Sequence, residues 1–181
     1  MKSIIKADLQ TQIQALKKKE YSSVELTKAY LARIEEIDPQ VNAFVLLNTE
    51  AALQAAAASD ARRQKGETLG TLDGIPFAAK DNFCTKGLRT TCASKMLENY
   101  VPPYDATAVL RLQNAGAVLL GKLNMDECAM GSTGEQSIFG ASKNPLDPDR
   151  VTGGSSSGSA AAVAAREIPF ALGSEDRKSV V

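Results

Sequence analysis

Thr152-Gly153-Gly154-Ser155-Ser156-Ser157-Gly158-Ser159 leads without a break into Ala160-Ala161-Ala162-Val163-Ala164-Ala165. A glycine-serine loop opening directly onto a small-residue helix has three physical readings. A flexible linker is expected to be followed by polar chain, whereas here the alanine helix is followed by the apolar Ile168-Pro169-Phe170-Ala171-Leu172. A phosphate cradle would offer main-chain N–H groups at a helix N-terminus, but nothing basic follows Gly158, so the P-loop pattern is absent. An active-site loop would set several hydroxyls on a glycine-permitted backbone, beside a helix dipole that favours developing negative charge.

The rest of the composition narrows what such a loop could do. The chain contains no histidine, which removes the usual general base and the commonest metal ligand together. A serine nucleophile would then need lysine as its base. That directs attention to Lys80, at the far end of the apolar run Ile75-Pro76-Phe77-Ala78-Ala79; the plainer reading of any lysine is a solvated surface charge. Lys+Arg and Asp+Glu are both 21, so no global basic field would hold a polyanion, and any RNA contact must be local or made by a partner. Cys84, Cys92 and Cys128 are odd in number and lack C-x-x-C spacing, which suggests buried free thiols, not a disulfide framework or a zinc site. No stretch approaches a membrane span and the N-terminus has no uninterrupted apolar run, so a cytoplasmic chain is expected.

Outward from the loop, helices alternate with short apolar strands. Leu9, Ile13 and Leu16 make one apolar stripe, and a second helix is predicted from Ser22, where Ser22-x-x-Glu25 is a capping box. Asp38-Pro39 is expected to end it, because the residue before proline disfavours helical geometry. Ala43–Leu47 reads as a buried strand, and Thr49–Lys65 as an alanine-rich helix stopped by Gly66. A turn at Asp73-Gly74 precedes a strand from Ile75 with Pro76 at its beginning. Asp105 is the expected N-cap of a helix from Ala106 to Asn114, and Gly116 separates that helix from a strand at Ala117–Leu120. Residues 125–144 are too rich in glycine and serine for a regular element. The expected fold is α/β, a mixed sheet core flanked by helices, incomplete at its C-terminal side.

Two of these segments together carry a resemblance. Gly74-Ile75-Pro76-x-x-x-Lys80-Asp81, followed by Gly153-Gly154-Ser155-Ser156-x-Gly158-Ser159-Ala160-Ala161-Ala162, resembles the paired signature of the amidase-signature family, whose members use a Ser-Ser-Lys triad. Further stretches are similar to the glutaminase (A) branch of the glutamyl-tRNA(Gln) and aspartyl-tRNA(Asn) amidotransferases. They are Lys80-Asp81-Asn82, Thr90-Thr91-Cys92-Ala93-Ser94, Val101-Pro102-Pro103-Tyr104-Asp105 and Asn124-Met125-Asp126-Glu127 with Ala129-Met130-Gly131-Ser132. The resemblance covers residues 1–174.

By that resemblance Lys80 is the triad lysine and Ser155 the bridging serine, preceded by a cis peptide and relaying a proton between lysine and nucleophile. Gly131 and Ser132 are the implied substrate-binding residues. The lysine must be neutral to accept a proton, so burial has to lower a reference pKa of about 10.4 by several units. The implied activity is hydrolysis of the glutamine amide through an acyl-enzyme, the ammonia passing to a B subunit that amidates glutamyl-tRNA(Gln). The implied partners are B and C subunits, with aminoacyl-tRNA reached through B. No metal or cofactor is expected in this chain; ATP and Mg belong to the complete complex. Alternatives are a stand-alone general amidase and a non-catalytic fragment.

The resemblance breaks at the end. The family places its nucleophile in Gly-Ser-Asp-Thr-Gly-Gly-Ser, where this chain reads Gly173-Ser174-Glu175-Asp176-Arg177-Lys178-Ser179. Ser179 holds the nucleophile's register, but Arg177-Lys178 replace the glycine pair. Residues 175–181 are therefore read as an anomalous tail: a non-native origin is suggested because Asp176–Val181 is what a common sequencing adapter encodes in one frame, and the alternatives are a natural frameshift and a divergent paralogue. The chain by itself is expected to be inactive.

Overall fold

Strands form where the apolar runs stand, and helices cover both faces of the sheet they build. The computed structural model describes residues 4–174. The helices are α1 (Leu9–Lys18), α2 (Ser23–Val41), α3 (Thr49–Lys65), α4 (Thr107–Asn114) and α5 (Ser157–Ala164). The strands are β1 (Phe44–Leu47), β2 (Pro76–Lys80), β3 (Val118–Leu123) and β4 (Ala171–Leu172), in the order β1-β3-β2-β4. β2 runs parallel to β3 and β4, while β1 is antiparallel to β3. The mixed α/β sheet expected from the sequence is present. Among the described residues no helix is long and apolar enough to cross a membrane.

Every residue of β2 and β3 is buried, as for strands covered on both faces. Side-chain alternation divides β2 between two cores. Ala78 joins a large cluster with Leu26, Tyr30, Ile34, Leu120 and Ala161, while Phe77 and Ala79 join a smaller one with Val109 and Leu119. Lys80 stands two residues beyond Ala78 and so follows it onto the α5 face. α2 begins with the capping box, Glu25 N–H donating to Ser22 Oγ at 3.0 Å and Ser22 N–H to the Glu25 carboxylate at 2.7 Å.

Three local expectations are corrected. Pro39 lies inside α2, which runs on to Val41. Its missing N–H falls in the last turn, and the Asp38 carboxylate accepts from Ala43 N–H at 2.6 Å and Phe44 N–H at 3.2 Å, so the exit is held without a break at proline. Asp105 does not cap α4: the N-cap is Ala106, because the Asp105 carboxylate accepts from Lys86 N–H at 2.8 Å instead. None of the cysteines is buried: Cys84 and Cys92 are half-buried, and Cys128 is exposed on a short turn where its φ is +51°.

Glu167, just after α5, has no exposed surface, and neither carboxyl oxygen has a hydrogen-bond partner among the described residues. Burial pushes its pKa up to about 8, with Asp38 adding to the rise and Arg33 opposing it. The folded chain therefore keeps a proton that the unfolded chain releases above the ordinary value of 4.5. Glu167 favours the fold fully below that value and progressively loses its contribution as pH rises to about 8. The whole span is on the order of a few kcal/mol. Thermal melting of Glu167→Gln beside wild type should show the gap between them widening in the variant's favour from pH 5 to 8; a constant gap would contradict this.

Candidate active site

The C-terminal end of β2 delivers Lys80 into the interior with no exposed surface. Its Nζ stands within hydrogen-bond distance of three hydroxyls: Ser155 Oγ at 2.6 Å, Ser174 Oγ at 2.8 Å and Ser156 Oγ at 3.0 Å. Asn82 Nδ2 reaches the same Ser174 Oγ at 2.9 Å. Ser156 Oγ donates to the Ser174 carbonyl at 3.2 Å and accepts from Ser174 N–H at 3.3 Å, which clasps the end of the described chain onto the loop.

The glycines make this gathering possible by close approach. The Gly154–Ser155 peptide is cis, as the resemblance implies. A Cβ on Gly158 would lie 2.5 Å from both Ala43 O and Asn124 N, so only glycine lets α5 sit on the chain that leaves β3. Gly158 N–H donates to Asn124 O at 3.0 Å, and Ser159 Oγ to Leu172 O at 3.0 Å, tying α5 to β4. Ser174 is thereby brought back to Lys80.

Beneath the cluster lies a buried ion pair, Lys122 Nζ to Asp81 Oδ1 at 3.2 Å. Lys122 also donates to Phe83 O at 2.9 Å and Thr90 Oγ1 at 2.7 Å. Asp81 Oδ2 accepts from Thr91 N–H at 2.9 Å and Thr91 Oγ1 at 2.5 Å. Burial lowers the Lys122 pKa, and the Asp81 carboxylate offsets part of that fall. The pair fixes the residue that follows Lys80. Among the described residues no group of three or more Cys, Asp or Glu side chains is placed to hold a metal ion.

Of the residues singled out in the sequence, Lys80 and Ser155 are brought together. Ser132 is brought alongside by its backbone, since a Cβ on Gly154 would lie 3.0 Å from Ser132 C and Thr133 N, while Gly131 packs against the Asp126 side chain. The Ser132 side chain itself is exposed. Ser179 and the rest of 175–181 lie outside the described residues. The sequence reading missed Ser156, Ser174, Asn82, Asp126 and the Lys122–Asp81 pair. One signal was available: Lys122 continues an apolar strand that the sequence reading stopped at Leu120, and a lysine inside such a run needs a buried partner.

Comparison with known proteins shows the family of the whole chain. A family model described as Amidase matches residues 25–180. The chain belongs to the amidase family. It is 58% identical over 165 residues to the glutamyl-tRNA(Gln) amidotransferase A subunit of Geobacter metallireducens, a match covering 91% of this chain and 34% of that protein. The crystal structure of the corresponding Thermotoga maritima protein superposes with a TM-score of 0.76 at 42% identity, over 94% of this chain and 34% of that one. Peptide amidase from Stenotrophomonas maltophilia superposes with a TM-score of 0.82 at 38% identity, over 87% of this chain and 34% of that one. The chain thus spans about a third of the length of these amidases.

The two serines of the loop make a discriminating pair. Ser155 Oγ is in contact with Lys80, whereas Ser157 Oγ is buried at the start of α5 without a hydrogen-bond partner among the described residues. In the full-length amidase Ser155→Ala should lower turnover by about 10³-fold or more. Ser157→Ala should stay within a few-fold. Equal losses in steady-state hydrolysis would reduce the loop to a structural role.

Proposed function

We propose that this chain is part of a glutaminase subunit of a tRNA-dependent amidotransferase, which hydrolyses the side-chain amide of glutamine and supplies ammonia for converting Glu-tRNA(Gln) to Gln-tRNA(Gln). The observation that carries the reading is Lys80 Nζ standing 2.6 Å from Ser155 Oγ, in a chain 58% identical to such a protein. Lys80 is the base, a role that requires its neutral form. Ser155 passes to it the proton of a nucleophilic serine, which the family places in Gly-Ser-Asp-Thr-Gly-Gly-Ser. Ser179 holds that register here.

The nucleophile's oxygen bonds to the amide carbon, the C–N bond breaks, and the returning proton leaves with ammonia. Water then adds to the acyl carbon, the ester bond to serine breaks, and glutamate is released. Gly131 and Ser132 flank the amide. No metal or cofactor takes part in these steps. B and C subunits, ATP with Mg, and aminoacyl-tRNA reached through the B subunit belong to the complete complex, placed in the cytoplasm.

The full-length protein, co-expressed with candidate B and C subunits, should co-purify with them and release ammonia from glutamine. Release should rise when ATP and Glu-tRNA(Gln) are added. An amidase that works alone on small or peptide amides is the second reading, favoured by the likeness to peptide amidase. Turnover of peptide amides without any copurifying protein would select it.

A further inference from the structure

We propose that Asp126 is a positioning residue for the acyl-transfer step, holding the 131–136 loop and the Ser155 peptide in one fixed relation. The inference rests on the amidase reading of the Lys80–Ser155 site and adds to it a residue outside the triad.

Asp126 follows β3, has no exposed surface, and meets both loops at once. Its main-chain N–H donates to Ser155 O at 3.1 Å. Its carboxylate accepts from Gly134 N–H at 3.1 Å through Oδ2 and from Gln136 N–H at 3.0 Å through Oδ1. The carboxylate also lies between two glycines, one from each loop. A Cβ on Gly154 would stand 2.0 Å from Oδ2, and one on Gly131 would stand 2.3 Å from Cγ. The spacing between the bridging serine and the backbone of Ser132 and Thr133 is therefore set through this one side chain.

The chemistry of the side chain follows from its partners. Two main-chain N–H groups converge on two oxygens, so the site calls for a group that only accepts. Asparagine has nearly the same volume but turns a donor toward one of those amides. Inside the protein two facing donors cannot both be satisfied, so one loop must shift away from the other. Reactions that depend on near-attack geometry lose up to about a hundredfold for a displacement of roughly 1 Å.

The test uses the full-length amidase with its partner subunits, glutamine as substrate, and a fluorophosphonate to count reactive serines. In Asp126→Asn the number of titrated sites per folded protein should match wild type, while turnover per titrated site falls about ten- to a hundredfold. The pH midpoint of the rate should not move, because Lys80 is untouched. Gln136→Pro removes one donor at an exposed position, and should lower per-site turnover by about three- to tenfold; it decides the question if Asp126→Asn fails to fold. Wild-type turnover per titrated site in either folded variant, with only the melting temperature lowered, would make Asp126 a structural anchor and overturn the proposal. A wild-type enzyme that neither hydrolyses amides nor is labelled would instead remove the amidase reading, and this inference with it.

Discussion

Lys80→Met in the full-length enzyme should lower amide hydrolysis by on the order of 10⁴-fold or more while leaving the protein folded. Lys80 has no exposed surface and stands within hydrogen-bond distance of three serine hydroxyls. Methionine fills much the same volume without a basic nitrogen, so the proton of the attacking serine has nowhere to go. The fold should tolerate the change, because methionine is close to lysine in volume and the partners it leaves behind are neutral serine hydroxyls, not a stranded charge. Ammonia release from glutamine and far-ultraviolet circular dichroism on the same sample check both halves. Turnover within tenfold of wild type would remove Lys80 from the mechanism.

The second large effect belongs to stability. Lys122→Met should destabilise the fold by roughly 3–5 kcal/mol, the usual consequence of leaving one partner of a buried ion pair without its counter-charge. The side chains of Lys122 and Asp81 are 0% and 1% exposed, so water cannot take the place of the lost ammonium. Among the described residues, Thr91 alone would still donate to the Asp81 carboxylate. Asp81→Asn added to Lys122→Met should recover a large part of the loss, since it removes the stranded charge. Urea unfolding measures both variants, and an unchanged midpoint in Lys122→Met would show that the pair contributes nothing.

These two lysines also show where sequence reading succeeds and where it stops. The burial of Lys80 against the loop serines was expected from the paired motifs of the resemblance, since the apolar run and the lack of histidine by themselves left a solvated lysine open. The sheet and most of the helices were legible directly: capping at Ser22, the stop at Gly66 and apolar period are local properties. The exit of α2 was misread because a proline in a last turn loses little when a neighbouring carboxylate, here Asp38, holds the next two amides. The N-cap of α4 was misread because Asp105 is taken by Lys86, distant in sequence. Asp126, Ser174 and Lys122 were not legible as site residues for the same physical reason. Each acquires its role from a contact between segments far apart in the chain, and nothing local announces such a contact.

The serine–serine–lysine relay is tested most directly by intact-mass spectrometry of the full-length enzyme after a brief pulse with an activated acyl donor or a fluorophosphonate. The relay predicts one covalent adduct per chain, on a serine of the segment that follows Ser174. Formation of that adduct should be slowed by orders of magnitude in both Lys80→Met and Ser155→Ala. An adduct that forms at the wild-type rate in those variants, or no serine adduct in an enzyme that still hydrolyses amides, would contradict it.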